Sequence, residues 1–585
     1  MEYDFETILD RRGCGSAKWE AMRALKPDAV SVPLSVADME FPTAPEIVAG
    51  LQEYVQNYVL GYTQPTDAYF DAVVGWQKRR HNLTVRREWL ETSPGVVPAL
   101  GYMIDAFSRP GDGVIIMPPV YYPFSFATIL NGRRLVRNPL IHTGDTYRID
   151  FDDLERKAAE PRNTLLIFCN PHNPVGRVWT RDELTRVMDI CLQNGVFVID
   201  DEIHNDLILP GVTHTPIPAL SQEAARGCAY CTAPSKTFNL AGMQASNIFL
   251  ADEEKRRLLA LKKYSLLSFS LNALGYESCR LAYTRAEPWL DALLPVLAGN
   301  AEYLARFFRE NIPEVRPQRL EGTYLFWADF RGLGLTHLEL RDMLVEDAEL
   351  FLDEGYLFGP EGREFERFNI ACPRGTLERA CERLLTAVRR RRAAWQTGGK
   401  PAHFTPEPGV PMPDFTYTAA NGAQREFRRQ TAGKPTALIF HRYSSCGVTR
   451  KFLAELAGEA DAVRAAGARI MVVLQSTPEA VVRQYGDGLP IEIVCDPQRR
   501  LYDFFNVFPA ATKLELLASC DVPAMMRDGF DVMAAGPAEG EQLQLPAVIA
   551  VRGDGRVGYV RYGQDILDVP SAAELVRILA AEAKP

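Results

Sequence analysis

The stretch Ala233-Pro234-Ser235-Lys236-Thr237-Phe238-Asn239 is the most informative part of the sequence, because two related polar segments precede it. These are Asn170-Pro171-His172-Asn173-Pro174-Val175-Gly176 and Asp201-Glu202-Ile203-His204. Each segment ends or follows a short apolar run, at 164–169, 196–199 and 229–233. Such runs are typical of buried parallel strands that carry polar residues at their C-terminal ends. Ligands of open α/β sheets bind at that edge, so we expect a functional site there.

The residue types in these segments fit the needs of pyridoxal phosphate (PLP). This cofactor needs an amine for its aldehyde, a carboxylate that faces its ring nitrogen and a donor to its phenolic oxygen. Lys236, Asp201 and Asn173 can supply these three groups. Alternatives exist: Lys236 could be a surface lysine, Asp201 could cap a helix and Asn173 could shape a turn. The adjacent Asp200 also competes with Asp201 for the same role.

The order of segments in the first two-thirds of the chain resembles the fold-type I PLP enzymes, and within them the MalY/PatB-type cystathionine β-lyases. The resemblance covers residues 1–393 and implies an α/β fold with the large and small domains of an aminotransferase. Besides the three segments above, it depends on segments 37–42, 61–63, 94–99, 119–124, 322–325 and 367–371.

The resemblance implies roles for several residues around the cofactor. Lys236 would bind the aldehyde and then remove the Cα proton, since a lysine beside a cationic system becomes a usable base. Tyr121 would stack on the ring, and Tyr122 would lie near the lysine. The phosphate is expected at a helix start, a ready anion site. Its ligands would be the backbone N–H groups of Gly95, Val96 and Val97 and the hydroxyl of Ser235.

The substrate and the subunit interface have one candidate residue each. Arg367 is the candidate for the substrate α-carboxylate, because a guanidinium binds a carboxylate through two parallel hydrogen bonds. Arg363 and Arg374 are nearby alternatives. The resemblance implies that Tyr62 reaches the phosphate of a neighbouring subunit, and therefore implies a homodimer. A packing tyrosine beside Gly61 is the alternative for this position.

Two positions depart from the pattern of many aminotransferases. Those enzymes have Tyr three residues after the aspartate and Arg eight residues after the lysine, where this chain has His204 and Gln244. His204 matches the C–S lyase branch and is expected to contact the cofactor. Because Gln244 is uncharged, it cannot neutralise the phosphate charge as an arginine at this position would.

A region rich in Gly and Pro, residues 394–412, is predicted to be a linker to a third domain at 413–585. This last part resembles the thioredoxin-like AhpC/TSA peroxiredoxin superfamily. Cys446 follows its first apolar strand at a helix start, where a thiol is activated, so it is a candidate redox thiol. Pro546 is expected to be cis. A second cysteine three residues later is replaced by Thr449, so a degenerate packing module is the alternative.

Composition limits the possible partners. The formal charge of −10 argues against a nucleic-acid partner. No apolar stretch is long enough for a membrane span. Eleven cysteines without regular spacing and an acidic N-terminus suit a cytoplasmic protein. No metal is expected, because the Cys228/Cys231 pair would point to opposite faces of a strand. The glycines of 553–558 are predicted to form a hairpin, not a dinucleotide site.

These observations support three hypotheses of function. The first is a PLP-dependent β-lyase that releases a thiol, pyruvate and ammonia from cystathionine, cysteine or another cysteine S-conjugate. The second is an aminotransferase that shares the first proton abstraction. The third is a PLP-bearing regulator that binds a partner protein, which an intact Lys236, Asp201 and Arg367 set disfavours.

Overall fold

The computed structural model describes residues 3–398, 403–486, 489–510, 516, 540–563 and 565–582. The chain divides into two compact units. Unit 1 comprises residues 1–335 and 339–393, and unit 2 comprises residues 336–338 and 394–585. No helix among the described residues is both long enough and apolar enough to cross a bilayer.

Unit 1 is built on a seven-stranded sheet of order β1-β9-β8-β7-β6-β2-β3. Its strands are β1 (Leu90–Ser93), β2 (Gly113–Ile116), β3 (Arg134–Arg137), β6 (Asn163–Cys169), β7 (Phe197–Asp201), β8 (Cys228–Thr232) and β9 (Ser246–Leu250). β2, β3, β6, β7 and β8 run parallel, whereas β9 is antiparallel to both of its neighbours. Apolar clusters cover both faces of this sheet, as expected for strands with continuous apolar runs.

The rest of unit 1 holds a smaller sheet, a two-stranded ribbon and the covering helices. The small sheet has the order β10-β11-β13-β12. Its strands are β10 (Arg316–Pro317), β11 (Leu325–Asp329), β12 (Asp353–Glu354) and β13 (Phe365–Asn369), and the ribbon pairs β4 (Ile141–His142) with β5 (Tyr147–Arg148). The helices before residue 399 are α1 (Ala17–Leu25), α2 (Pro45–Asn57), α3 (Asp67–His81), α4 (Val96–Phe107), α5 (Pro123–Leu130), α6 (Phe151–Ala158), α7 (Arg181–Gln193), α8 (Gln222–Arg226), α9 (Pro234–Thr237), α10 (Glu253–Ser265), α11 (Ala273–Arg285), α12 (Glu287–Asn311), α13 (His337–Asp342) and α14 (Arg374–Gly398).

Unit 2 is an α/β unit with its own seven-stranded sheet, of order β15-β14-β18-β17-β16-β19-β20. The strands are β14 (Thr416–Ala419), β15 (Gln424–Glu426), β16 (Thr436–Phe440), β17 (Arg469–Leu474), β18 (Glu492–Cys495), β19 (Ala547–Val551) and β20 (Val557–Tyr562). β16, β17 and β18 are parallel. The helices are α15 (Phe427–Thr431), α16 (Gly447–Gly458), α17 (Ala460–Ala465), α18 (Pro478–Tyr485), α19 (Arg500–Phe504) and α20 (Ala572–Glu582).

The region between the units differs from the predicted linker in two places. Residues 394–398 continue α14, because the breaking Gly and Pro residues begin only at Gly398. Residues 399–402 lie outside the described residues. From residue 403 the chain is part of unit 2 and packs against its β19–β20 hairpin: Gly409 N–H donates to the carbonyl of Val557 and Met412 N–H donates to the carbonyl of Gly555.

Three smaller sequence predictions can be compared with the structure. Cys228 and Cys231 lie in the apolar clusters on opposite faces of the sheet, as predicted. Residues 552–556 join antiparallel β19 to β20, also as predicted. The expectation for Pro546 is wrong, since the cis peptide bonds of the described chain precede only Pro119, Pro171 and Pro174.

Candidate active site

The three polar segments meet at the carboxyl edge of the large sheet. β6, β7 and β8 are neighbours, and Cys169, Asp201 and Cys231 lie at matching register positions near their ends. Asn173 follows β6, Asp201 is the last residue of β7, and Lys236 lies in α9 just beyond β8. Adjacent parallel strands therefore bring residues from three distant parts of the sequence to one edge.

Lys236 is the centre of this cluster. Its Nζ donates to the carbonyl oxygen of Ala37 over 2.6 Å, and the hydroxyl of Tyr324 donates to the same oxygen over 2.9 Å. Burial, together with the positive charge of Arg367, lowers the pKa of Lys236 to about 8, against the opposing effect of Asp38 and Asp201. A lysine in this state gives up its proton near neutral pH, as a general base requires.

The two adjacent aspartates of β7 have different surroundings. Asp201 is 3% exposed, and its Oδ1 accepts the N–H of Ile203 at 3.1 Å. Burial raises the pKa of Asp201 to about 7, and the charge of Lys236 opposes the rise. Burial and the charge of Glu202 raise the pKa of Asp200 well above its usual value, and Lys236 is not among the causes. Since consecutive side chains of a strand point to opposite faces, Asp201 is the residue on the side of Lys236.

Arg367 lies on β13 and is 2% exposed. Its Nη1 donates to Oδ1 of Asn173 over 2.7 Å, and its Nη2 donates to Oδ2 of Asp353. The guanidinium carbon lies 4.7 Å from the ring centre of Phe358. Of the two alternatives, Arg374 donates to Oδ1 of Asn300 instead.

The aromatic candidates surround the same space. The rings of Tyr121 and Tyr122 are 5.3 Å apart, and Tyr121 N–H donates to the carbonyl of Asn173 at 3.1 Å. Burial raises the pKa of both tyrosines, with a further rise from Asp353. His204 packs edge-on against Tyr324, with ring centres 6.0 Å apart. Burial and the charges of Lys236 and Arg367 push the pKa of His204 far down, so its ring is neutral.

The phosphate candidates lie at the start of α4. Gly95 is the N-cap, and Val96 and Val97 are the first two helical residues. Their N–H groups belong to the first turn, which has no acceptor within the helix. Ser235 is half-buried in α9, one residue before Lys236. Tyr62 lies in the loop after α2, and its side chain is fully exposed, at 112% of the reference area.

The donors of this cluster fit PLP and a substrate carboxylate. Asn173 uses its amide oxygen for Arg367, which leaves its amide N–H₂ available to a phenolic oxygen. Among the described residues, Nδ1 of His204 and Nε of Arg367 are buried without a hydrogen-bond partner. Unpartnered buried atoms occur elsewhere in the described chain as well, but these two lie beside Lys236 and Asn173, where a ligand would complete their hydrogen bonding.

Sequence analysis missed the residues that support Lys236. Asp206 accepts hydrogen bonds from Nε1 of Trp76 at 3.0 Å, Nε2 of His81 at 2.8 Å and the hydroxyl of Thr237 at 2.8 Å. Because Thr237 follows Lys236, this buried carboxylate anchors the backbone beside the lysine. Ala37 and Tyr324 lie within the segments 37–42 and 322–325, and Asp206 lies two residues after the segment 201–204. Their partners are distant in the chain, so only the fold identifies their contacts.

Unit 2 contains a second cluster, around Cys446. This residue is the N-cap of α16 and is 2% exposed. Nη1 of the buried Arg442 lies 3.2 Å from its Sγ. No carboxylate lies within ion-pair distance of Arg442 in the described part of unit 2. Thr449, which occupies the position of a second cysteine, contacts Nδ1 of His441 at 2.9 Å.

Comparison with known families accounts for both units. The family model for aminotransferases of class I and II matches residues 30–384. The chain belongs to this family. A second model, for the AhpC/TSA family, matches residues 408–560, which form an α/β domain after the first.

Individual relatives are similar over the first unit. The chain is 39% identical over 385 residues to cystathionine β-lyase PatB of Bacillus subtilis, which covers 66% of this chain and 100% of that protein. It is 33% identical over 390 residues to protein MalY of Escherichia coli, covering 66% of this chain and 99% of the relative. Cystalysin of Treponema denticola, whose crystal structure contains PLP, is 41% identical with a TM-score of 0.66 and covers 67% of this chain and all of its own.

Proposed function

We propose that the protein is a PLP-dependent β-lyase of S-substituted cysteines. The observation that carries this proposal is the cluster of Lys236, Asp201 and Arg367 at the carboxyl edge of the large sheet. Similarity to a cystathionine β-lyase and to a PLP-containing cystalysin supports it. We assign this activity to residues 1–393 and propose a thioredoxin-like domain at 413–585, joined to it by residues 394–412, of which 394–398 are the end of α14.

The cofactor, when bound, supplies an electron sink that stabilises negative charge at the substrate Cα. Asp201 would pair with the ring nitrogen, and the positive charge of a protonated ring would favour its carboxylate form against the effect of burial. Asn173 would donate to the phenolic oxygen, and Tyr121 would cover the ring. The N–H groups of Gly95, Val96 and Val97, with the Ser235 hydroxyl, would hold the phosphate.

Two side chains act on the substrate itself. Arg367 binds the α-carboxylate and orients the Cα–H bond toward Lys236. Nζ of Lys236, with its lowered pKa, takes the Cα proton. Tyr122 lines the same space, beside Arg367 and Asp353.

The overall reaction consumes one water and is balanced without an oxidant. The Cβ–S bond breaks and the electron pair leaves with sulfur, which takes a proton to become the thiol. The remaining three-carbon fragment is hydrolysed to pyruvate and ammonia. A thiolate is a good leaving group on Cβ, so elimination should be faster than transfer of the amino group to a keto acid.

We propose further that the protein is a cytoplasmic homodimer. Tyr62 would complete the phosphate site of the partner subunit. The loop that carries it is unusually apolar for a free surface, since Val59 is 91% exposed and Leu60 is 57% exposed. Exposed apolar groups of this kind support a protein interface.

Product analysis tests the activity. Purified protein is incubated with PLP and a set of cysteine S-conjugates, including cystathionine, and pyruvate and free thiol are measured without any keto acid. Equal amounts of pyruvate and thiol are the expected result. If product forms only when a keto acid is added, and no thiol is released, the protein is an aminotransferase instead.

For unit 2 we propose a thiol function of Cys446. The guanidinium of Arg442 supports this role, because its Nη1 donates to the sulfur and would stabilise negative charge that develops there during a thiol reaction. The alternative is a packing module in which Cys446 is inert. Since Thr449 replaces a second cysteine, any oxidised Cys446 would be resolved by an outside thiol.

A further inference from the structure

Asp353 is a buried acidic residue beside Arg367 that has no role in the reaction described above. It lies on β12 opposite Arg367 of β13 and is 8% exposed. Its Oδ2 accepts hydrogen bonds from Nη2 of Arg367 and from the backbone N–H of Val36, at 2.8 Å. One carboxylate oxygen thus joins the candidate carboxylate-binding residue to a loop more than 300 positions earlier in the chain.

The loop that Asp353 contacts is strained. Val36 has a φ of 47°, a left-handed conformation that is unfavourable for a β-branched residue. Both of its peptide groups are held, since its carbonyl accepts Nδ2 of Asn369 at 2.8 Å. Backbone strain persists only where the surroundings fix it, and it is concentrated at functional sites.

The residue after Val36 contacts the catalytic lysine. The carbonyl of Ala37 accepts both Nζ of Lys236, at 2.6 Å, and the hydroxyl of Tyr324, at 2.9 Å. A continuous set of contacts therefore runs from Arg367 through Asp353 and Val36 to the acceptor of Lys236.

We propose that Asp353 is a positioning residue that fixes the Arg367 guanidinium for a substrate carboxylate and couples occupation of Arg367 to the loop that contacts Lys236. Asp353 and Asn173 each hold one terminal nitrogen of Arg367. The buried Nε of Arg367 has no partner in the described structure, so the guanidinium is held with donor capacity left for a ligand. This inference depends on the proposed function only for the identity of the ligand.

Binding of substrate fragments tests the positioning role without any turnover. The holoenzyme is titrated by calorimetry with 3-(methylthio)propanoate, which is S-methylcysteine without its amine, and with 2-(methylthio)ethylamine, which lacks the carboxylate. For Asp353→Ala we expect the Kd of the propanoate to rise about tenfold or more, the range for a hydrogen bond to a charged group. The Kd of the amine should change less than about twofold.

Asp353→Asn separates positioning from charge. An asparagine oxygen can still accept from Arg367 and Val36, so this variant should bind the propanoate within about threefold of wild type. If Asp353→Asn weakens propanoate binding as much as Asp353→Ala does, the charge matters rather than the position, and the proposal is wrong. It is also wrong if Asp353→Ala leaves propanoate binding unchanged.

Glu354→Ala is the matched control. Glu354 is the next residue of the same short strand, and it pairs with Glu366 rather than Arg367. Its removal should leave both Kd values unchanged, while a general loss of structure at β12 would alter them in both variants. Circular dichroism and a melting curve establish that each variant is folded.

Hydrogen exchange tests the coupling. In wild type, the propanoate should slow exchange of peptides that contain Val36 and Ala37, and this protection should be lost in Asp353→Ala at a saturating concentration of ligand. Equal protection in both proteins would contradict the coupling. Failure of the proposed function would appear separately, as the absence of pyruvate and thiol from the wild-type enzyme.

Discussion

The Lys236 cluster of unit 1 and the Cys446 cluster of unit 2 both place a candidate reactive residue beside an arginine, shortly after the end of a buried strand. They differ in how that residue is surrounded. Lys236 has polar partners from several distant segments, whereas the distant segments around Cys446 contribute apolar packing and its one polar side-chain partner is Arg442, four residues earlier, in the described structure. Several independent polar groups that fit one cofactor identify the chemistry of a site more firmly than a single polar contact does.

Among the predicted changes, removal of Lys236 should reduce the activity of unit 1 the most. Lys236→Ala should lower pyruvate formation about 10³-fold or more, because the base that removes the Cα proton is lost. Borohydride should no longer fix PLP to the protein. The matched control is Lys263→Ala, which removes a lysine that pairs with Glu91 at 2.7 Å instead. A reducible PLP adduct in Lys236→Ala would refute the assignment.

Loss of the carboxylate clamp should have the next largest effect. Arg367→Ala should lower kcat/KM about 100-fold, mostly through KM, because the α-carboxylate loses a paired charge and its orientation. Steady-state kinetics with one S-conjugate measure this change. Arg374→Ala is the control, since that guanidinium donates to Asn300. If Arg374→Ala lowers kcat/KM as much as Arg367→Ala does, Arg374 is the residue that binds the carboxylate.

Tyr62→Phe tests whether the phosphate site of unit 1 includes Tyr62 of a second subunit. It removes one hydrogen bond to a charged phosphate, so the Kd for PLP should rise about tenfold or more while the melting temperature of the apo-protein stays unchanged. Equilibrium dialysis measures the Kd. Tyr58→Phe, which changes another exposed tyrosine at 63% exposure, should have no effect. A monomer that binds PLP normally would rule out the cross-subunit role.

The pH dependence of cofactor capture tests the state of Lys236. Burial lowers the pKa of Lys236 to about 8, and only the neutral amine attacks an aldehyde. The rate of PLP capture by apo-protein should therefore rise about tenfold per pH unit below pH 8 and level off above it. A lysine peptide serves as control, because its rate should keep rising toward the ordinary lysine pKa. A protein rate that follows the peptide would show that Lys236 is not buried in solution.

The smallest expected change concerns unit 2, where thiol labelling measures the reactivity of Cys446. In a Cys14→Ser background, which removes an exposed thiol, Cys446 should be alkylated faster than Cys495, whose thiol pKa burial raises to about 12. Arg442→Met should slow labelling of Cys446 severalfold, because the hydrogen-bond donor that stabilises negative charge on the sulfur is lost. Peptide mass spectrometry reads each site. Faster labelling of Cys495, or of Cys520, which lies outside the described residues, would favour the inert module.

Much of the fold could be predicted from the sequence, because the apolar runs at 164–169, 196–199 and 229–233 are long, continuous and followed by polar residues. The same pattern predicted that Asn173, Asp201 and Lys236 lie at one edge, and they do. Continuation of α14 to Gly398 was missed, since a composition change gives a helix end only within a few residues.

The contacts of Asp353 and Ala37 could not be predicted. Asp353 meets Arg367 because of the register between two short strands, and nothing in its local sequence specifies that register. Ala37 takes part through its carbonyl, a group that every residue has. Residue type does not specify which backbone carbonyl accepts a hydrogen bond or which residue lies opposite on the next strand. Such contacts can be identified only from the folded structure.

The left-handed valine has a consequence for evolution and engineering of this enzyme. Glycine or asparagine would adopt a φ of 47° at lower cost than Val36 does. A search for thermostable variants would therefore be drawn to this position. Its backbone N–H and carbonyl are bonded to the side chains of Asp353 and Asn369. A residue that adopts this conformation without strain would raise the stability of the protein, but it would also allow the loop more freedom to move. At position 36, a substitution that increases heat resistance is therefore expected to decrease turnover.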